Sequence, residues 1–108
     1  MKTQPLSPET RRRLDLLFAP DDRPAAEAML VSKCGSNLPF CDQLDMFELE
    51  RVRFAALKRS GGDLDLLHQA VSLAQTDWRD LLMAAGFGED VTAHQRWVPH
   101  RGQAIDGD

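Results

Sequence analysis

Leu67, Val71, Ala74, Trp78, Leu81 and Ala85 recur at alternating steps of four and three residues. Apolar side chains at that spacing share one face of an α-helix, because each turn takes 3.6 residues. The pattern passes through Thr76-Asp77 without losing register. It therefore predicts one helix from Asp63 to Ala85, about 35 Å long at 1.5 Å per residue. A break into two helices at Thr76-Asp77 is the main alternative. Asp63 is placed to cap the start, and Gly86 supplies the left-handed residue that ends many helices. Phe87, just beyond, is placed to pack back on Leu82, the contact that accompanies a Schellman ending. A helix with so long an apolar face needs other elements to cover it, and it is the expected spine of the fold.

The covering elements are helical as well. The chain has 108 residues and no tyrosine, and Leu, Ala, Asp and Arg dominate while β-branched residues are few. Unbranched side chains lose little rotamer freedom in a helix, so strands are starved of material. Ser7-Pro8-Glu9 signals an opening helix that runs to about Phe18, with Leu14, Leu17 and Phe18 as its apolar stripe and Arg11, Arg12 and Arg13 on its solvent side or flanks. Asp21 or Asp22 caps a second helix through Ala26, Met29, Leu30 and Cys34, ended by Gly35. A third runs from Asp42 or Asp45 to about Arg59 and is broken by Ser60-Gly61-Gly62. A short last helix spans about Asp90 to Trp97 and is closed by Pro99. The expected fold is all-α, a single compact bundle of four to five helices over residues 1–99, followed by a flexible polar tail over 100–108.

Composition bounds the function classes. With 43% apolar and 28% charged residues the chain reads as an ordinary globular domain with one core. The formal charge of -4 argues against a general nucleic-acid binder, whose phosphate contacts need a basic surface. No segment has the length and apolarity of a membrane span, and no apolar run resembling a signal peptide follows Met1, so a cytoplasmic location is expected. Two cysteines are too few for a disulfide scaffold and fit a reducing compartment.

Glu50-Arg51-Val52-Arg53-Phe54-Ala55-Ala56-Leu57-Lys58, then Gly62-Asp63-Leu64, and Asp77-Trp78-Arg79-Asp80-Leu81-Leu82 together resemble a family of small uncharacterised bacterial helical proteins. The likeness spans about Asp45 to Pro99. It rests on helix caps and core residues, and it implies a helical domain and no activity.

Several groups of residues carry chemistry that architecture must be weighed against. Cys34 and Cys41 bracket a loop containing Gly35 and Pro39, so they form a candidate redox pair. The same residues fit two small buried side chains beside Met29, Leu30, Leu38 and Phe40. Joined by His94 and His100 they make a metal set whose cysteine spacing is too wide for a structural zinc site. Arg11, Arg12, Arg13, Arg51 and Arg53 are candidates for contact with an anion or an acidic partner. The acid-to-base order along the third helix, from Asp42 to Arg59, matches the helix dipole and explains Arg51 and Arg53 without a ligand. Asp63, Asp65, Asp77 and Asp80 read as caps and first-turn residues, with no paired nucleophile and base in view. Trp78 and Trp97 are expected to hold the long helix against the last one, while Trp97 and Phe87 are candidate interface aromatics. No catalytic, cofactor-binding or metal residue is assigned. The chain reads as a small non-enzymatic interaction or accessory protein, partnered by an unidentified protein or by itself as a homodimer. The alternatives are a redox-responsive or metal-binding protein using Cys34 and Cys41, and an anion or nucleic-acid binder with a local basic face.

Overall fold

A computed structural model describes residues 6–34, 46–88 and 92–99. All its regular structure is helical: α1 (Pro8–Leu17), α2 (Arg23–Lys33), α3 (Met46–Ser60), α4 (Leu64–Ala84) and α5 (Ala93–Arg96). The expected all-α bundle is what forms. The N-terminal signals work as chemistry requires. Ser7 is extended and its Oγ accepts from the amide of Thr10 at 3.1 Å, with Pro8 opening α1. Asp63 Oδ1 accepts from the amides of Asp65 and Leu66 at 2.8 and 3.1 Å. Asp22 stands at the N-cap position of α2, but its side chain makes no capping bond. Its backbone is αR, where a cap is normally extended, and Pro24 removes one of the amides that a cap would serve. Asp42, Asp45 and the expected start of the last helix at Asp90 lie outside the described residues, as does the tail from His100.

The long helix differs from expectation at one residue. Asp77 has φ -157° and ψ 86°, so α4 is two helical segments meeting at a kink. The alternative of a break at Thr76-Asp77 is realised without loss of the apolar face, since Leu67, Val71, Ala74 and Leu81 are all buried. Asp77 caps the second segment, its Oδ1 accepting from the amide of Asp80 at 3.2 Å. The C-terminal signal holds in full: Gly86 has φ 82°, its amide donates to Met83, and the Phe87 amide donates to Leu82 at 2.8 Å.

The spine is α3, not α4. Every residue from Arg51 to Leu57 is buried, and α3 packs on α1, α4 and α5. A helix buried on all sides needs apolar or small residues all round, and Val52, Phe54, Ala55, Ala56 and Leu57 provide them. The alanines let neighbouring helices approach closely. α4, with its polar outer face, lies against α3 and α2, and α1 closes on α2 and α3. Each of the first four helices thus touches two others in a ring, while α5 hangs from α3.

Candidate functional site

The buried arginines dominate the interior chemistry. Arg13, Arg51 and Arg53 are 4%, 6% and 2% exposed. Arg53, on α3, donates from Nε to the Cys34 carbonyl at the end of α2 at 2.8 Å. Arg51, two residues earlier, donates to the Phe87 carbonyl just past α4 at 2.6 Å. Arg13, on α1, reaches the end of α5: Nε to the Trp97 carbonyl at 2.9 Å and Nη2 to that of Gln95 at 3.4 Å. Half-buried Arg23, opening α2, donates to the carbonyls of Phe18 and Asp15 at the end of α1. Arg51 thus serves the turn beyond α4, while Arg13, Arg23 and Arg53 each serve the terminal carbonyls of a different helix. Those carbonyls carry the negative end of the helix dipole and have no intrahelical donor, so a cation with several N–H groups satisfies both needs.

This placement overturns the reading of Arg11, Arg12, Arg13, Arg51 and Arg53 as one basic face. Arg13, Arg51 and Arg53 point inward because their long stems cross apolar packing while their heads find carbonyls. Arg11 and Arg12 remain outside. Arg11 makes a two-pronged pair with Glu27 at 2.6 and 3.0 Å, and Arg12 lies 3.6 Å from Glu9. Glu9 and Glu27 are held below the usual carboxylate range, chiefly by hydrogen bonds from Arg13 and Arg11 respectively. Pro8, Arg11, Arg12, Asp15 and Leu16 line a shallow groove along this outer face of α1.

The cysteine pair is not brought into view as a pair. Cys41 lies outside the described residues. Cys34 is fully buried at the end of α2, and burial pushes its thiol up to about 12 against the pull of Arg53. Burial in turn lowers Arg53 from its ordinary value. A thiol held protonated is a poor nucleophile and a poor metal ligand. Cys34 stands at the C-terminal end of α2, where the helix dipole also disfavours a thiolate, but the dominant cause is desolvation. His100 also lies outside the described residues, among which no group of three or more His, Cys, Asp or Glu side chains gathers.

Phe87 is 2% exposed, so it belongs to the core and not to an outward interface. It is trapped because the Schellman turn folds it back over α4. With Phe54, His94 and Trp97 it forms an aromatic cluster: Phe54 lies 5.2 Å from His94 and 6.3 Å from Trp97, and Phe87 lies 6.3 Å from each. The Arg13 guanidinium covers Phe54 at 4.3 Å and Lys58 Nζ covers Phe87 at 5.0 Å. Trp97 thus meets α3 and the turn after α4, where packing against α4 itself was expected. Half-buried Trp78 carries the Arg79 guanidinium 5.4 Å from its ring. His94, weighed above only as a metal ligand, is a fully buried member of this cluster. The signal that could have placed it is its position three residues before Trp97, on one helical face.

No family model, curated protein or solved structure matches the chain. Among the described residues no helix is long and apolar enough to cross a membrane.

Proposed function

We propose that the chain is a small non-enzymatic interaction protein that presents the outer face of α1 to a protein partner. The observation that carries this reading is the groove lined by Pro8, Arg11, Arg12, Asp15 and Leu16. Its walls combine an apolar floor with charges of both signs, and arginine is enriched at protein contacts because its planar head both stacks and donates. The face is also stiff. Arg13 ties the opposite side of α1 into the core, and α1 packs on α2 and α3, so little backbone order has to be gained on binding. The inward use of Arg13, Arg51 and Arg53 supports the same reading, since it leaves Arg11 and Arg12 as the outward part of the arginine-rich opening helix.

The test is affinity capture from the native cell at low salt, with the wild-type chain beside an Arg12→Glu/Leu16→Asp double variant. Neither residue is buried, so both chains are expected to show the same helicity, with the variant melting somewhat lower because it sets carboxylates near Glu9 and at the C-terminal end of α1. The variant is expected to lose a protein that the wild type retains. Equal recovery of every captured protein by the two chains would remove the proposal. Sedimentation of both chains distinguishes a second copy from a foreign partner.

A further inference from the structure

The four-helix ring is closed without its last segment. α1 packs on α2 and α3, and α4 packs on α2 and α3, whereas α5 packs on α3. α5 is 4 residues long, far below the length at which a helix holds itself in water. What it covers is already fixed by other means. Phe54 belongs to the buried run of α3, and Phe87 is held by the Schellman turn and by Arg51 on its carbonyl. What it contributes is the His94 and Trp97 rings, laid against those two phenylalanines. Arg13 grips it from α1 through the carbonyls of Trp97 and Gln95.

We infer that residues 92–99 are a detachable clip latched by Arg13, which opens to uncover the aromatic face of Phe54 and Phe87 while α1 to α4 stay folded. Local opening of this kind belongs to segments with few neighbours outside a cooperative unit. The latch suits it: Arg13 keeps its bond to the Glu9 carboxylate at 2.8 Å within α1, so the guanidinium retains a partner when the clip leaves. Opening also returns a buried cation to water, which lowers its cost. This inference does not depend on the outer face of α1, which lies across the helix from Arg13.

The test uses the full chain carrying Trp78→Phe, so that Trp97 is the single tryptophan. In a urea titration Trp97 emission is expected to shift to the red at lower denaturant than the loss of far-ultraviolet helicity. In the gap between the two transitions the apolar dye ANS is expected to brighten. Adding Arg13→Gln is expected to raise the open fraction on the order of tenfold, the effect of losing a charge-assisted hydrogen bond. The helicity midpoint is expected to move much less. Coincident transitions, or a dye signal that rises only with loss of helicity, would overturn the clip. Equal movement of both midpoints in the Arg13→Gln chain would overturn the latch. Should Trp78→Phe fail to fold, native-state hydrogen exchange of the unsubstituted chain decides. Amides of Gln95 and Trp97 are then expected to open with a weaker denaturant dependence than those of α3, and equal dependence would overturn the inference.

Discussion

Arg53 and Arg11 are chemically identical side chains whose surroundings give them different weights. Arg53 has its head on the Cys34 carbonyl in the interior, and its removal takes that donor away and leaves a void along the stem. Arg53→Ala is therefore expected to cost about 3 kcal/mol in urea unfolding, and Arg53→Lys less, since an ammonium keeps the charge but not the directed fork. Arg11 sits in solvent with Glu27, and Arg11→Ala is expected to cost under about 1 kcal/mol although one of its two hydrogen bonds, at 2.6 Å, is shorter than that of Arg53. Equal losses in the two variants would contradict the assignment of Arg53 as a helix-end cap. Nothing at the sequence level separates these arginines by partner. Their acceptors are backbone carbonyls, which every residue carries, and they lie 19 residues away for Arg53 and 36 for Arg51. The legible hint was weaker: Arg51 and Arg53 alternate with Val52 and Phe54 inside a run that is otherwise apolar on all sides. A cation interrupting such a run is either misplaced or paired inside, and here it is paired.

The helices themselves were legible because caps and periodicity act locally. Ser7, Asp63, Gly86 and Phe87 do what their residue types allow within a few residues of chain. Two matters were not local. Which helix sits at the centre depends on all-round burial, and α3 shows a weaker one-sided pattern than α4 because none of its middle residues faces water. The kink at Asp77 is invisible to periodicity, because one residue of extended backbone there leaves the buried positions on both sides facing the core. Asp77→Ala is expected to cost about 1 kcal/mol, through loss of the cap on the Asp80 amide. Two glycines separate conformational from steric demand. At Gly86, φ 82°, an added Cβ meets only Lys58 Nζ at 3.7 Å, so Gly86→Ala is expected to cost about 1 to 2 kcal/mol of backbone strain. At Gly62, φ 91°, the Cβ would stand 2.6 Å from the Leu17 carbonyl oxygen, adding a backbone collision between the α3–α4 turn and the end of α1. Gly62→Ala is expected to be the worse of the two by chemical denaturation, and the reverse order would mean that the turn relaxes.

For the whole molecule, the groups that shift on folding set a pH window with different edges. Glu9 and Glu27 lie below their ordinary 4.5 in the fold, so they favour it above that pH and lose the preference as pH falls through their lowered values. Both carboxylates are exposed to solvent, which screens them, so this acid edge is shallow. The alkaline edge belongs to Cys34. Its thiol titrates near 9.0 in the unfolded chain and at about 12 in the fold, so the folded state binds the extra proton between those values. Stability is fully present below about pH 9 and falls as pH rises, because only the unfolded chain gains from releasing the proton. One group contributes at most about 1.4 kcal/mol per pH unit in that range. The chain has no tyrosine to titrate in the same interval. The decisive comparison is between the wild type and Cys34→Ala, which share every other titratable group. Denaturant midpoints of the wild type are expected to drop from pH 9 to 11, and those of Cys34→Ala to drop less over the same range. Parallel curves would mean that Cys34 is not desolvated, and with it would go the packing of α2 against the carbonyl-binding Arg53.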